Sequence, residues 1–233
     1  GGSNTALGKG AGALLTSGNS NVIIGISAGD ATLDSSNHVL IGAGAGGNGD
    51  IANDGQTAVG YLALHALTSG TGQTAIGWES GKNVTTGDYN TALGYNTLGG
   101  NSSTALTGDR NTAIGASAGR DMEGASTGNT LVGDSSGLAL TTGNYNTAVG
   151  YQAGDSITDG NSNVLVGRGT GVAMTSQDEM VLIGNDAGAA INNDAADGSI
   201  GIGYNALAAM TSGTHSTVIG ASAGAALRGS LNT

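Results

Sequence analysis

The 233-residue chain carries 17 acidic and six basic side chains, a net charge of −11, with 46 Gly and no Pro, Cys or Phe. Such a surface lacks the basic footprint that nucleic acid or an anionic membrane requires. The lack of Cys removes disulfides and thiolate metal sites, no apolar run is long enough to span a membrane, and abundant Gly without Pro is not collagen.

The chain is a repeat from its first residues. Asn4-Thr5-Ala6-Leu7-Gly8 opens a unit that reads N-T-A-I-G-x-x-A-G-x-x-L-T-T-G and returns to the end. Its anchor glycines are Gly8, Gly25, Gly42, Gly60, Gly77, Gly94, Gly115, Gly133, Gly150, Gly167, Gly184, Gly203 and Gly220, spaced 17, 17, 18, 17, 17, 21, 18, 17, 17, 17, 19 and 17. A unit this short excludes the common helical repeats. The residue before each anchor is aliphatic, from Leu7 to Ile219, and the residue two before it is β-branched, as in Thr5, Val22, Thr57 and Ile200. Residues two apart share one face of a strand, and β-branched side chains suit a pleated surface. The spacing therefore predicts a short strand in every coil, with these two columns facing the core. The residue between them, Ala in six coils (Ala6, Ala58, Ala75, Ala92, Ala113, Ala148), then faces outward. An apolar outward column predicts a partner surface. Its size follows the β-branched residue: Val22-Ile23, Val39-Leu40, Val164-Leu165 and Val181-Leu182 pair Val with a large neighbour, whereas Thr usually precedes Ala.

After the anchor comes a corner. Four residues on stands Gly in ten coils and Leu in three (Leu64, Leu98, Leu207). Seven residues on, an apolar residue such as Leu15, Leu67, Val84, Met122, Leu140 or Leu227 often precedes Thr-Ser-Gly or Thr-Thr-Gly, which predicts a second, weaker strand closed by a glycine turn. Ahead of the main strand, Asn recurs at Asn4, Asn21, Asn90, Asn111, Asn129, Asn146 and Asn163, the composition of a stacked amide ladder. Taken together, these columns predict an all-β chain, a parallel β-solenoid of about 13 coils of ~17 residues. The pattern runs from Gly1 to Thr233, so residues 1–233 are expected to be one repeat domain cut from a longer fibrous protein.

The strings Asn90-Thr91-Ala92-Leu93-Gly94-Tyr95, Asn111-Thr112-Ala113-Ile114-Gly115 and Asn146-Thr147-Ala148-Val149-Gly150-Tyr151-Gln152-Ala153-Gly154 resemble the repeat region of phage tail-fibre-like and bacterial tail-fibre-domain surface proteins, which is related to the head repeats of YadA-like trimeric adhesins. The resemblance covers essentially the whole chain. It implies a homotrimeric, extracellular fibre on a virion or cell surface.

Chemistry is sparse. His38, His65 and His215 fall in three different columns, so no nucleophile, base and orienter can be assembled and no catalytic residue is assigned. Gly-x-Gly runs such as Gly44-Ala45-Gly46 have no strand–helix context for a dinucleotide. Turn Asp residues read as local caps; Asp50 with Asp54 and Asp194 with Asp197 are weak cation candidates, and no metal or cofactor is assigned. The residue after the anchor is aromatic at Tyr61, Trp78, Tyr95, Tyr151 and Tyr204, the first three in consecutive coils. An amphipathic row of this kind is a candidate carbohydrate platform or a subunit contact. The expected function is therefore a non-enzymatic structural or adhesive fibre segment that contacts cell-surface glycans. The alternatives are a monomeric ice-binding or other ligand-binding solenoid, disfavoured by the broken Thr-Ser/Thr column, and a polysaccharide-degrading tailspike, which needs a carboxylate pair in a groove.

Overall fold

A computed structural model of the chain describes residues 2–32, 34–47, 49–99, 103–193, 196–211 and 213–225. It contains thirteen three-residue strands: β1 (Thr5–Leu7), β2 (Val22–Ile24), β3 (Val39–Ile41), β4 (Thr57–Val59), β5 (Thr74–Ile76), β6 (Thr91–Leu93), β7 (Thr112–Ile114), β8 (Thr130–Val132), β9 (Thr147–Val149), β10 (Val164–Val166), β11 (Val181–Ile183), β12 (Ile200–Ile202) and β13 (Thr217–Ile219). They form one sheet in chain order, each strand parallel to the next. The chain is a parallel β-solenoid, a rod about 60 Å long at ~4.8 Å per strand. Register follows the repeat through its irregularities: across the 21-residue interval Thr91 still pairs with Thr112 and Leu93 with Ile114, without a slip.

Anchor glycines terminate every strand. All thirteen have φ between 129° and 140°, and from Gly8 to Gly203 a Cβ would run into the backbone of the next anchor or the residue after it. Only glycine allows both the turn and the close approach.

The strand faces are the reverse of the expectation. The middle residue is the buried one from β2 to β12: Ile23, Leu40, Ala58, Ala75, Ala92, Ala113, Leu131, Ala148, Leu165 and Leu182 are at most 1% exposed. The pre-anchor aliphatics and the β-branched column point outward, and Ile76, Leu93 and Ile183 are exposed. Period two sorts a strand into two sets but does not say which set is inside. In a strand of three residues between two corners, the coil encloses one side chain, and it is the central one.

The size correlation now has part of its explanation. A large middle residue faces Gly four after the anchor (Ile23 with Gly29, Leu40 with Gly46), and a small one can face Leu instead: Ala58 with Leu64, Ala92 with Leu98, Gly201 with Leu207. Where both are small, the adjacent coil fills the space. A Cβ on Gly81 would meet Leu64, on Gly119 Leu131, and on Gly154 Leu165. The core is thus close to constant in volume although no column is constant in size. Why Thr rather than Val stands outside the small coils is not explained by this packing.

The second strand is absent among the described residues. Leu67, Met122, Leu140 and Ile157 are buried as expected, and Thr68, Thr141 and Thr158 donate backbone N–H groups to the following coil at 2.9 Å. Yet the chain bends at once, at residues 68–69, 141–142 and 158–159, and among the described residues only the isolated bridges Val84–Leu106 and Leu106–Gly124 form. Leu227 lies outside the described residues.

Candidate interaction surface

The amide column forms the expected ladder. Asn4, Asn111, Asn129 and Asn146 each accept the backbone N–H of the equivalent residue one coil on, at 2.9–3.1 Å. Their amide groups donate to carbonyls of the next coil, as Asn146 does to Gly160 at 2.7 Å. His38, Gln56 and Gln73 continue the column, which then breaks, since Gln73 Oε1 is buried without a partner. A second ladder in the outer turn runs the opposite way. Ser36, Thr71 and Asn161 donate N–H to Asp54, Asp88 and Asp178 of the coil ahead, at 2.6–2.7 Å. These turn aspartates thus accept across the coil boundary from the preceding coil rather than as caps of their own turns. Among the described residues no three His, Cys, Asp or Glu side chains group as a metal site; Asp194 lies outside them.

The outer face of the sheet carries two columns, β-branched and aliphatic, across thirteen strands. From strand spacing and side-chain width its area is roughly 700 Å². Its aliphatic column is unbroken, whereas the β-branched column is Thr in eight strands and Val or Ile in five, so the face is apolar only in part. Within it, β4 to β9 present six threonines in succession: Thr57, Thr74, Thr91, Thr112, Thr130 and Thr147. Among the described residues no hydrogen bond involves their hydroxyls. The turn threonines behave differently: Thr68, Thr141 and Thr158 donate their hydroxyls to the carbonyls of Thr85, Thr158 and Thr175. This face was invisible to sequence reasoning that had pointed it inward; the three-residue strand length was the signal that could have found it.

Around the corner from this face runs the aromatic column. Tyr61, Trp78, Tyr95, Tyr151 and Tyr204 are all 39–59% exposed. The fold brings the first three onto adjacent coils, where Tyr61 and Trp78 stack with ring centroids 4.2 Å apart and planes inclined at 32°. Trp78 and Tyr95 stand two residues after the exposed Ile76 and Leu93, across the anchor glycine. Tyr151 and Tyr204 stand apart, separated by Arg168 and Asn185, whose side chains bond to each other at 2.9 Å. Tyr89 and Tyr145 sit in the turn before the strand, each with a ring edge over the glycine of the preceding coil, Gly72 and Gly128. The Arg110 guanidinium lies 6.0 Å from the Tyr89 ring centroid.

The three histidines stay apart. His38 is buried in the amide ladder, His65 Nδ1 lies 3.2 Å from Gly44 O in a corner, and the His215 ring rests over Gly198. No protein-family model, curated protein or solved structure matches the chain. The class established by the fold is the parallel β-solenoid.

Proposed function

We propose that the chain is a structural and adhesive segment of an extracellular fibre, assembled as a homotrimer through the outer face of its sheet. The observation that carries this reading is the continuous column of outward aliphatic side chains along the whole rod. In a trimer the roughly 700 Å² of each protomer is shared between two neighbours, about half of the ~800 Å² per partner of a standard pairwise interface at each contact, and the contact repeats at three seams. The partner contact thus moves from the middle residue of each strand, which is core, to its two neighbours. Tyr61, Trp78 and Tyr95 lie at the edge of that contact and are its candidate glycan contacts, with Tyr151 and Tyr204 further along. Because Tyr61 and Trp78 stack on each other, part of the ring surface a sugar would cover is already occupied. Light scattering tests the assembly. A mass near three times 22.2 kDa is expected, falling to that of one chain in the variant Ile76→Lys/Leu93→Lys/Ile114→Lys with its β-sheet circular dichroism unchanged. A monomeric wild type overturns the trimer.

One observation favours a second reading, a monomeric solenoid that binds ice: the six unpartnered threonine hydroxyls at strand spacing beside an aliphatic column. The broken Thr-Ser/Thr column that argued against ice is the internally bonded one, and the outward column is unbroken from β4 to β9. A monomer that inhibits ice recrystallisation, and loses this on Thr91→Tyr, selects the second reading. A trimer without that activity selects the first.

A further inference from the structure

His38 is a titratable rung in the buried polar ladder. Its backbone N–H donates to Asn21 Oδ1 of the preceding coil at 2.9 Å, and its Nδ1 accepts the backbone N–H of Gln56 in the following coil at 3.1 Å. An amide N–H can only donate, so Nδ1 carries no proton. The ring is therefore the neutral tautomer with hydrogen on Nε2, which lies 2.8 Å from Ser35 Oγ and donates to it. The side chain is fully buried. Asn rungs elsewhere in the column make the same coil-to-coil bond with a carbonyl oxygen that does not titrate near neutrality.

Protonation changes the chemistry of this one link. An imidazolium has hydrogen on both nitrogens, so Nδ1–H would face the Gln56 N–H, donor against donor. The rung fails on its upward side only. The groups packed about the ring from the adjacent coils, Asn21 and Gln56, are neutral, and the charged group acting on it is Asp54 of the following coil. That carboxylate accepts the N–H of Ser36 at 2.7 Å in the outer ladder, so the two ladders meet at this same coil boundary.

We propose that His38 is an acid-operated joint, at which the coil bearing β3 loosens from the coil bearing β4 when the imidazole takes up a proton. The joint is independent of how many chains assemble, because the ring lies inside one protomer. The direction of the pH dependence follows from linkage. Burial holds the folded pKa below the ordinary value of about 6.5, with Asp54 opposing. Above about pH 6.5 both the closed and opened forms are neutral and the joint is fully closed. As pH falls below that value the opened form binds the proton first, so closure weakens until the lower folded pKa is passed.

The test is backbone amide exchange followed by NMR at pH about 7.5 and about 5, corrected for intrinsic rates, a range that spans the titration of histidine. At the lower pH the Gln56 N–H should lose about tenfold in protection, the scale of one buried hydrogen bond. The Asn146 N–H, held by Asn129 in an all-amide stretch of ladder, serves as the internal reference and should not change. His38→Asn, which installs the commonest residue of the column, should abolish the response at Gln56. Equal loss at Gln56 and Asn146, or an undiminished loss in His38→Asn, overturns the proposal. The ring resonances of the wild type decide the matter without a variant: an imidazole that titrates at or above its ordinary value in the folded chain overturns it as well.

Discussion

Strands β4 to β9 and strands β10 to β12 share one backbone and differ in chemistry on both faces. In the first stretch Thr stands outside and, except at Leu131, Ala stands inside; in the second Val or Ile stands outside, and Leu165 and Leu182 fill the inside. Strand register and the Gly anchors are the same in both. The interior tolerates the change because volume is relocated: where the middle residue shrinks, Leu64 or Leu98 enters from the opposite corner, or the neighbouring coil leans across. That relocation has a backbone cost. Leu64, Leu98 and Leu207 sit at φ of 49–53°, where glycine serves in the other coils. A left-handed conformation costs an L-residue roughly 1–2 kcal/mol. The backbone conformation of the coil is therefore held by glycine, its volume by a sum over columns, and its outer face by neither. That freedom is what allows the outer face to differ along the rod.

The comparison can be broken most severely at the glycines. Gly77→Ala should destabilise by more than about 3 kcal/mol in thermal denaturation, since both the φ of 136° and the neighbouring Gly94 backbone oppose a side chain. Gly55→Ala is the control. Gly55 has a φ of 79° but open space beside it, so only the conformational cost of about 1–2 kcal/mol remains. Equal effects at the two sites would mean that close approach between coils does not constrain the anchors.

Volume relocation is sharpened by a double-mutant cycle. Ala92→Leu alone overpacks its coil and should cost about 1–3 kcal/mol. Leu98→Gly alone opens a cavity, offset in part by relief of the left-handed leucine. Combined, they reproduce the arrangement of Leu40 with Gly46, and the loss should be smaller than the sum by about 1 kcal/mol or more. Strict additivity in urea denaturation would refute compensation between the columns.

The smallest effect is expected on the outer face. Thr91→Val, which converts one strand of the first stretch toward the second, should change the stability of a single chain by no more than about 0.5 kcal/mol. Its value lies in assembly: within a buried contact an added methyl should leave the solution mass unchanged or strengthen association, whereas on a water-ordering surface it removes one hydroxyl from the row and should lower recrystallisation inhibition. Light scattering and ice-growth microscopy on the same sample read both.

The ladder of Asn residues was legible because stacked side chains in a solenoid meet their own equivalents, so one column read down the sequence is also a list of spatial neighbours. Tyr61, Trp78 and Tyr95 were legible as a row for the same reason. The second strand was not, because Leu67-Thr68 or Leu140-Thr141 has strand composition but turns before three residues can extend. The outer face of the sheet, the largest feature available to a partner, was assigned to the interior.

What the amino-acid sequence determined by itself was everything that repetition specifies: the number of coils, the place of each strand, the in-register stacking and the glycines that end every strand. What only the tertiary structure decided was orientation. The pre-anchor and middle positions were both apolar and the β-branched position was Thr or Val/Ile, so hydrophobicity did not tell inside from outside. The choice depends on the direction in which the chain bends at a φ near 135° and on the room left within one narrow coil, quantities fixed when the coils stack.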